Sequence, residues 1–130
     1  MACPYFDPAE RLTGSGGSLG DLYAGLCRAD TERSRQPDEQ TVANRCNLGY
    51  ARGCCAHFPQ DGGPDAVRFS VKLDDGAAIR ILYTFERDHR PFSNGALEYS
   101  AQTGELAGAA DLALSRLATA YVRSYLRRTR

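Results

Sequence analysis

From Ala66 onward apolar and polar side chains alternate: Val67, Phe69, Val71 and Leu73 share one parity, Arg68, Ser70 and Lys72 the other. A period of two sends successive side chains to opposite faces, so this run predicts a strand with one buried face. Asp74, Asp75 and Gly76 supply hairpin chemistry, and Ile79, Ile81, Tyr83 and Phe85 then alternate against Arg80, Thr84 and Glu86 in a second, antiparallel strand. The turn chemistry of Ser93, Asn94 and Gly95 precedes a short third strand over residues 97–100. After it the period changes. Leu106, Ala110, Leu114, Leu117, Tyr121 and Tyr125 recur every three or four residues, with no Pro or Gly from Ala109 to Arg130, which predicts a long amphipathic helix.

The first 64 residues carry most of the punctuation, including Pro4, Pro8, Pro37, Pro59 and Pro64 and glycines at 14, 16, 17 and 20, so they are expected to be rich in loops. Ser18 and Asp21 resemble a helix start, and Leu19, Leu22, Tyr23 and Leu26 fall on one face of a short helix that ends near Ala29 and carries Cys27. Residues 30–40 are polar and contain Pro37, the signature of a surface loop. The glycine-rich run 14–20 follows no strand and lacks a phosphate-binding lysine, so it reads as a flexible loop. The expected fold is a single α+β domain over residues 1–130. A small antiparallel sheet of two or three strands packs against the long C-terminal helix (66–130), preceded by a loop-rich, cysteine-containing half (1–65).

Length and charge narrow the classes. At 130 residues a second core is not expected, and no apolar run approaches the roughly 20 residues of a membrane span. The opening residues Met1 to Pro8 have neither the basic head nor the apolar stretch of a signal peptide, so the expected compartment is the cytoplasm, with no membrane partner. Sixteen basic and sixteen acidic side chains cancel. Arg123, Arg127, Arg128 and Arg130 crowd the end of the last helix, where the helix dipole favours cations, so a protein rather than a nucleic acid is the expected partner. Fifteen of the sixteen cations are arginine, Lys72 being the exception, as in a GC-rich bacterial coding sequence.

The cysteines carry the chemistry. Five thiols in 130 residues, four of the positions (Cys3, Cys27, Cys46 and Cys54 or Cys55) spread through the loop-rich half, need a cause. An odd count without an export signal argues against a disulfide framework. A loop-rich segment buries little apolar surface, so a centre drawing four thiolates together would offset the entropy of ordering it. The intervening lengths of 23, 18 and 7 residues contain none of the close cysteine pairs of structural zinc sites. Iron–sulfur clusters accept ligands from dispersed loops, and a proline follows Cys3 as in some cluster motifs. The expected cofactor is therefore a [4Fe–4S] cluster, with zinc as the alternative, ligated by Cys3, Cys27, Cys46 and Cys54. Neighbouring side chains diverge, so only one of Cys54 and Cys55 serves the centre. Gly49 and Gly53 permit tight turns around it, and Arg52 is placed to offset its negative charge.

Two other classes remain open on the sequence. The cysteines suit a metal-free interaction module if they are simply buried. A thiol enzyme would pair Cys54 or Cys55 with His57 or His89, although no surrounding hydrolase motif supports it and no catalytic residue is assigned. Residues 86–90 (Glu86, Arg87, Asp88, His89, Arg90) suit acid–base work or anion binding, but a charged strand end in water has the same composition.

Overall fold

The computed structural model describes residues 2–12, 19, 22–29, 35–47, 49–50, 55, 58–59, 63–108 and 112–129. These form two antiparallel sheets and a C-terminal helix, which corrects the expectation of one small sheet behind a loop-rich half. The first sheet pairs β1 (Phe6–Arg11) with β2 (Tyr23–Cys27). The second is a four-stranded meander of β3 (Ala66–Asp74), β4 (Ala78–Arg87), β5 (Arg90–Ser100) and β6 (Leu106–Ala107). Between the sheets a short helical turn, α1 (Glu39–Thr41), runs on as a wider π-helical turn over Val42–Cys46. The helix α2 spans Leu112–Thr129.

The expected helix around Leu22 and Leu26 is the strand β2. Its leucines recur at helical spacing, but its partner settles the conformation: Phe6 pairs with Cys27, Asp7 with Leu26 and Pro8 with Gly25. The register shifts between Pro8 and Glu10, a bulge at the proline, which has no N–H to give a ladder. Pro8 and the brevity of both strands hide the alternation. The start assigned to Ser18 and Asp21, and the glycine-rich run apart from Leu19, lie outside the described residues.

β3 and β4 pair from Ala66↔Glu86 to Asp74↔Ile79, with a bulge between Val71 and Leu73. That extra residue turns Leu73 outward, 59% exposed, where strict alternation would bury it. Asp74 accepts from the Gly76 amide and Asp75 from those of Ala77 and Ala78, closing the hairpin. Ser93, Asn94 and Gly95 lie inside β5, which runs eleven residues where a short strand was expected. The cause is cross-strand: Gly95 faces Tyr83, whose ring occupies the space a Cβ would need, the hydroxyl standing 2.4 Å from that position. The real turn is Asp88–His89, both at positive φ (51° and 61°), the conformation of a type I′ hairpin.

One apolar core joins these parts. Phe6, Leu19 and Tyr23 pack with Val67, Ile79, Ile81 and Leu97 of the meander and with Leu114, Leu117, Ala118 and Val122 of α2. The N-terminus is tied to the sheet directly, Ala2 and Val67 exchanging both backbone hydrogen bonds at 2.7 and 2.9 Å. The Tyr125 hydroxyl donates to Asp74 at 2.9 Å, pinning the far end of α2 to the β3–β4 hairpin. Among the described residues no helix is long and apolar enough to cross a membrane.

Candidate functional site

Four cysteines from four separate stretches of chain line one partly open pocket: Cys3, Cys27, Cys46 and Cys55. The cavity they enclose is small, about 20 Å³. None of the four is in a disulfide. Three belong to the expected ligand set. Cys54, Arg52 and His57 lie outside the described residues.

Each thiol is held by backbone hydrogen bonds that its local sequence makes possible. Cys3 opens a turn with Pro4 in second position, its carbonyl accepting from the Phe6 amide at 3.1 Å, and its own amide donates to the Cys46 carbonyl at 3.0 Å. Cys27 ends β2 opposite Phe6 and exchanges two hydrogen bonds with Arg35, at 2.6 and 3.0 Å. That bridge corrects the expectation of a surface loop at residues 35–40, while residues 30–34 lie outside the described residues. Gln36 and Asp38 face water, but Arg35 and the buried Pro37 turn into the pocket wall. Cys55 begins a turn closed by the Phe58 amide at 3.2 Å, and the Phe58 ring meets Tyr5 edge-on at 5.5 Å.

Cys46 sits at the end of the π-helical turn. Asp38 starts the preceding helical turn, its carboxylate accepting from the Thr41 amide at 2.7 Å, which holds that carboxyl below its ordinary range. Asn47 closes it. Fully buried, its side chain accepts from the Tyr23 amide at 3.1 Å and donates to the Tyr23 and Val42 carbonyls at 3.0 and 2.8 Å. One side chain thus locks the segment bearing Cys46 to the strand that ends in Cys27. Sequence reading passed over Asn47; its only signal was its place beside a cysteine. Two cations were also passed over: Arg35 and Arg45 line the pocket.

Burial governs the acidity of Cys3 and Cys46. Desolvation pushes Cys3 up to about 12, aided by the neighbouring thiols and opposed by a hydrogen bond from the Tyr5 amide. Cys46 is pushed up to about 12 by the same desolvation, with Arg35 opposing. Both thiols are therefore protonated at neutral pH. A group whose folded pKa is raised stabilises the fold below its unfolded value and ceases to do so as pH climbs through the folded one. The metal-free chain should accordingly melt at a steady temperature up to about pH 9 and at falling temperatures between pH 9 and 12, with Tyr50, also raised to about 12 by burial and by its hydrogen bond to Glu86, adding above pH 10. Calorimetry across that range checks this, and a flat profile would contradict the buried placement of the thiols.

The residue 86–90 cluster has a structural explanation. Glu86 is 5% exposed, accepts from the Tyr50 hydroxyl and pairs with Arg68 at 3.1 Å. His89 stacks on Tyr50 with centroids 4.2 Å apart and is not among the residues around the thiols. Among the described residues no group of three or more His, Cys, Asp or Glu side chains is arranged to hold a metal ion. No family model, curated protein or solved structure matches the chain.

Proposed function

We propose that the chain is a small iron–sulfur protein whose [4Fe–4S] cluster is held by Cys3, Cys27, Cys46 and Cys55, with Cys54 as the alternative fourth ligand. The observation that carries this reading is the meeting of four unbridged thiols, far apart in sequence, around one pocket with two arginines in its wall. A mononuclear zinc site needs its sulfurs within about 3.8 Å of one another, as Zn–S bonds near 2.3 Å require. A cluster gives each thiolate its own iron and takes its ligands from dispersed stretches of chain, as the four cysteines here are.

Such a cluster, when bound, supplies one-electron transfer or simply cross-links the segments that hold it. The chain's own residues fit either use. Arg35 and Arg45 would offset the negative charge of a thiolate-ligated centre, and the Tyr5 amide already donates to the Cys3 sulfur. Drawing Cys3, Cys27, Cys46 and Cys55 to one point would remove chain entropy from the unfolded state much as disulfides do. A reducing compartment such as the cytoplasm would keep the thiols available, and a protein would be the electron partner.

The burial of Cys3 and Cys46 in the apolar core favours a second reading, a metal-free interaction module. Anaerobic purification with iron and acid-labile sulfide analysis separates the two. About four irons and four sulfides per chain, with a brown colour, are expected. A folded, colourless protein free of iron would overturn the cluster reading, and stoichiometric zinc would replace it with the mononuclear alternative.

A further inference from the structure

A second cavity, of about 460 Å³, opens between β1, the start of β2 and α2. Four arginines line it, Arg11 at the end of β1 and Arg116, Arg123 and Arg127 on the helix, and no carboxylate is among the described residues of its wall. Arg116, Ala120, Arg123 and Arg127 advance by three or four positions, with Thr119 beside them, so they form one stripe. Thr119 and Ala120 in its middle are small, which leaves the hollow between the guanidinium groups.

Helix capping does not account for this arrangement. The negative end of the helix dipole favours Arg127 in the last turn, but Arg116 lies near the opposite end, where the dipole opposes a cation, and Arg11 is on a strand. Asp7, which Arg116 reaches at 3.6 Å, is 3% exposed and shared with Arg28, which holds it at 2.7 Å. Arg127 is fixed at the wall by donating to the hydroxyls of Tyr23 and Ser124, at 2.9 and 3.0 Å. The Tyr23 hydroxyl is itself anchored to the Ala120 carbonyl at 3.0 Å. A hollow of ligand size lined by exposed planar donors is suited to bidentate recognition of phosphoryl oxygens.

We infer that this cavity binds a small anion carrying two linked phosphoryl groups, either pyrophosphate or the diphosphate of a nucleotide. Four guanidinium groups, with Arg116 also sharing Asp7, present more donors than a single phosphate can engage. The site uses none of the cysteines, so its failure leaves the iron–sulfur reading untouched.

Isothermal titration of the full chain at constant ionic strength tests it, with inorganic pyrophosphate as the probe and orthophosphate, citrate and ADP as comparisons. Pyrophosphate should bind at least tenfold more tightly than orthophosphate or citrate. ADP binding more tightly than pyrophosphate would assign a nucleotide, and ADP binding no better would assign pyrophosphate itself. The exposed Arg123 permits Arg123→Gln without disturbing the core, and this variant should lose tenfold or more in affinity. Arg80→Gln, which removes one charge on β4, should lose less than twofold. Citrate binding as tightly as pyrophosphate, equal losses in the two variants, or no pyrophosphate binding would each overturn the proposal.

Discussion

Serine in place of Cys46 is expected to reduce iron from about four atoms per chain to less than one, with loss of the visible absorbance. Cys46 is 7% exposed, its carbonyl receives the Cys3 amide, and Asn47 holds the following backbone against β2, so no other thiol can move into its place without breaking those bonds. Serine also buries a hydroxyl in an apolar wall, at a cost of about 1–3 kcal/mol unrelated to iron. Cys46→Ala separates the effects, because it should lose iron equally and leave the metal-free fold closer to the parent. Cys3→Ser and Cys27→Ser should behave like Cys46→Ser. The adjacent pair provides the internal control: Cys55→Ser should release the cluster and Cys54→Ser should retain it. The reverse pattern would move the fourth ligand to Cys54, and equal, mild effects of all five substitutions would show that the thiols are ordinary core residues.

What the sequence made legible follows from which forces are local. The alternation of β3 and β4 and the stripe of α2 report burial of one face, and burial is written directly into residue type. β1 and β2 are held by pairing with each other across an intervening segment, and Pro8 and Gly25 serve that pairing while reading locally as strand breakers. Ser93, Asn94 and Gly95 mislead for the same reason, since the aromatic ring over Gly95 comes from the opposite strand. Within the site, the gathering of Cys3, Cys27 and Cys46 was inferable from the oddity of so many thiols in one segment. The presence of Cys55 at the pocket was not, because neighbouring positions 54 and 55 read alike in sequence; Cys54 lies outside the described residues. Arg35, Arg45 and Asn47 are common residue types whose placement at the pocket is tertiary, and even the position of Arg45 and Asn47 beside Cys46 does not single them out.

Gly25→Ala is expected to be the most disruptive substitution outside the cysteines. A Cβ at Gly25 would lie 1.9 Å from the Asp7 carbonyl oxygen, 2.8 Å from its carbon and 2.9 Å from the Pro8 Cα, all of them backbone atoms that no rotamer change can move aside. The two strands would have to separate at the bulge. Asp7, which is 3% exposed and paired with Arg28 at 2.7 Å, would then be disturbed in its buried position. Cys27, two residues beyond, would lose the alignment fixed by its pairing with Phe6. Mechanisms of this kind destabilise by about 3 kcal/mol or more, which corresponds to a fall in melting temperature of about 10 °C for a chain of this length. Gly76→Ala is the comparison: that glycine has φ +91° in the β3–β4 turn but open space around it, so the change costs backbone strain of about 1 kcal/mol and should leave iron content intact. Urea unfolding of both variants, with iron analysis before denaturation, reads the two effects separately. A Gly25→Ala protein with parental stability and full iron would mean that β1 and β2 do not pair in this register, and the position of Cys27 at the pocket would fall with it.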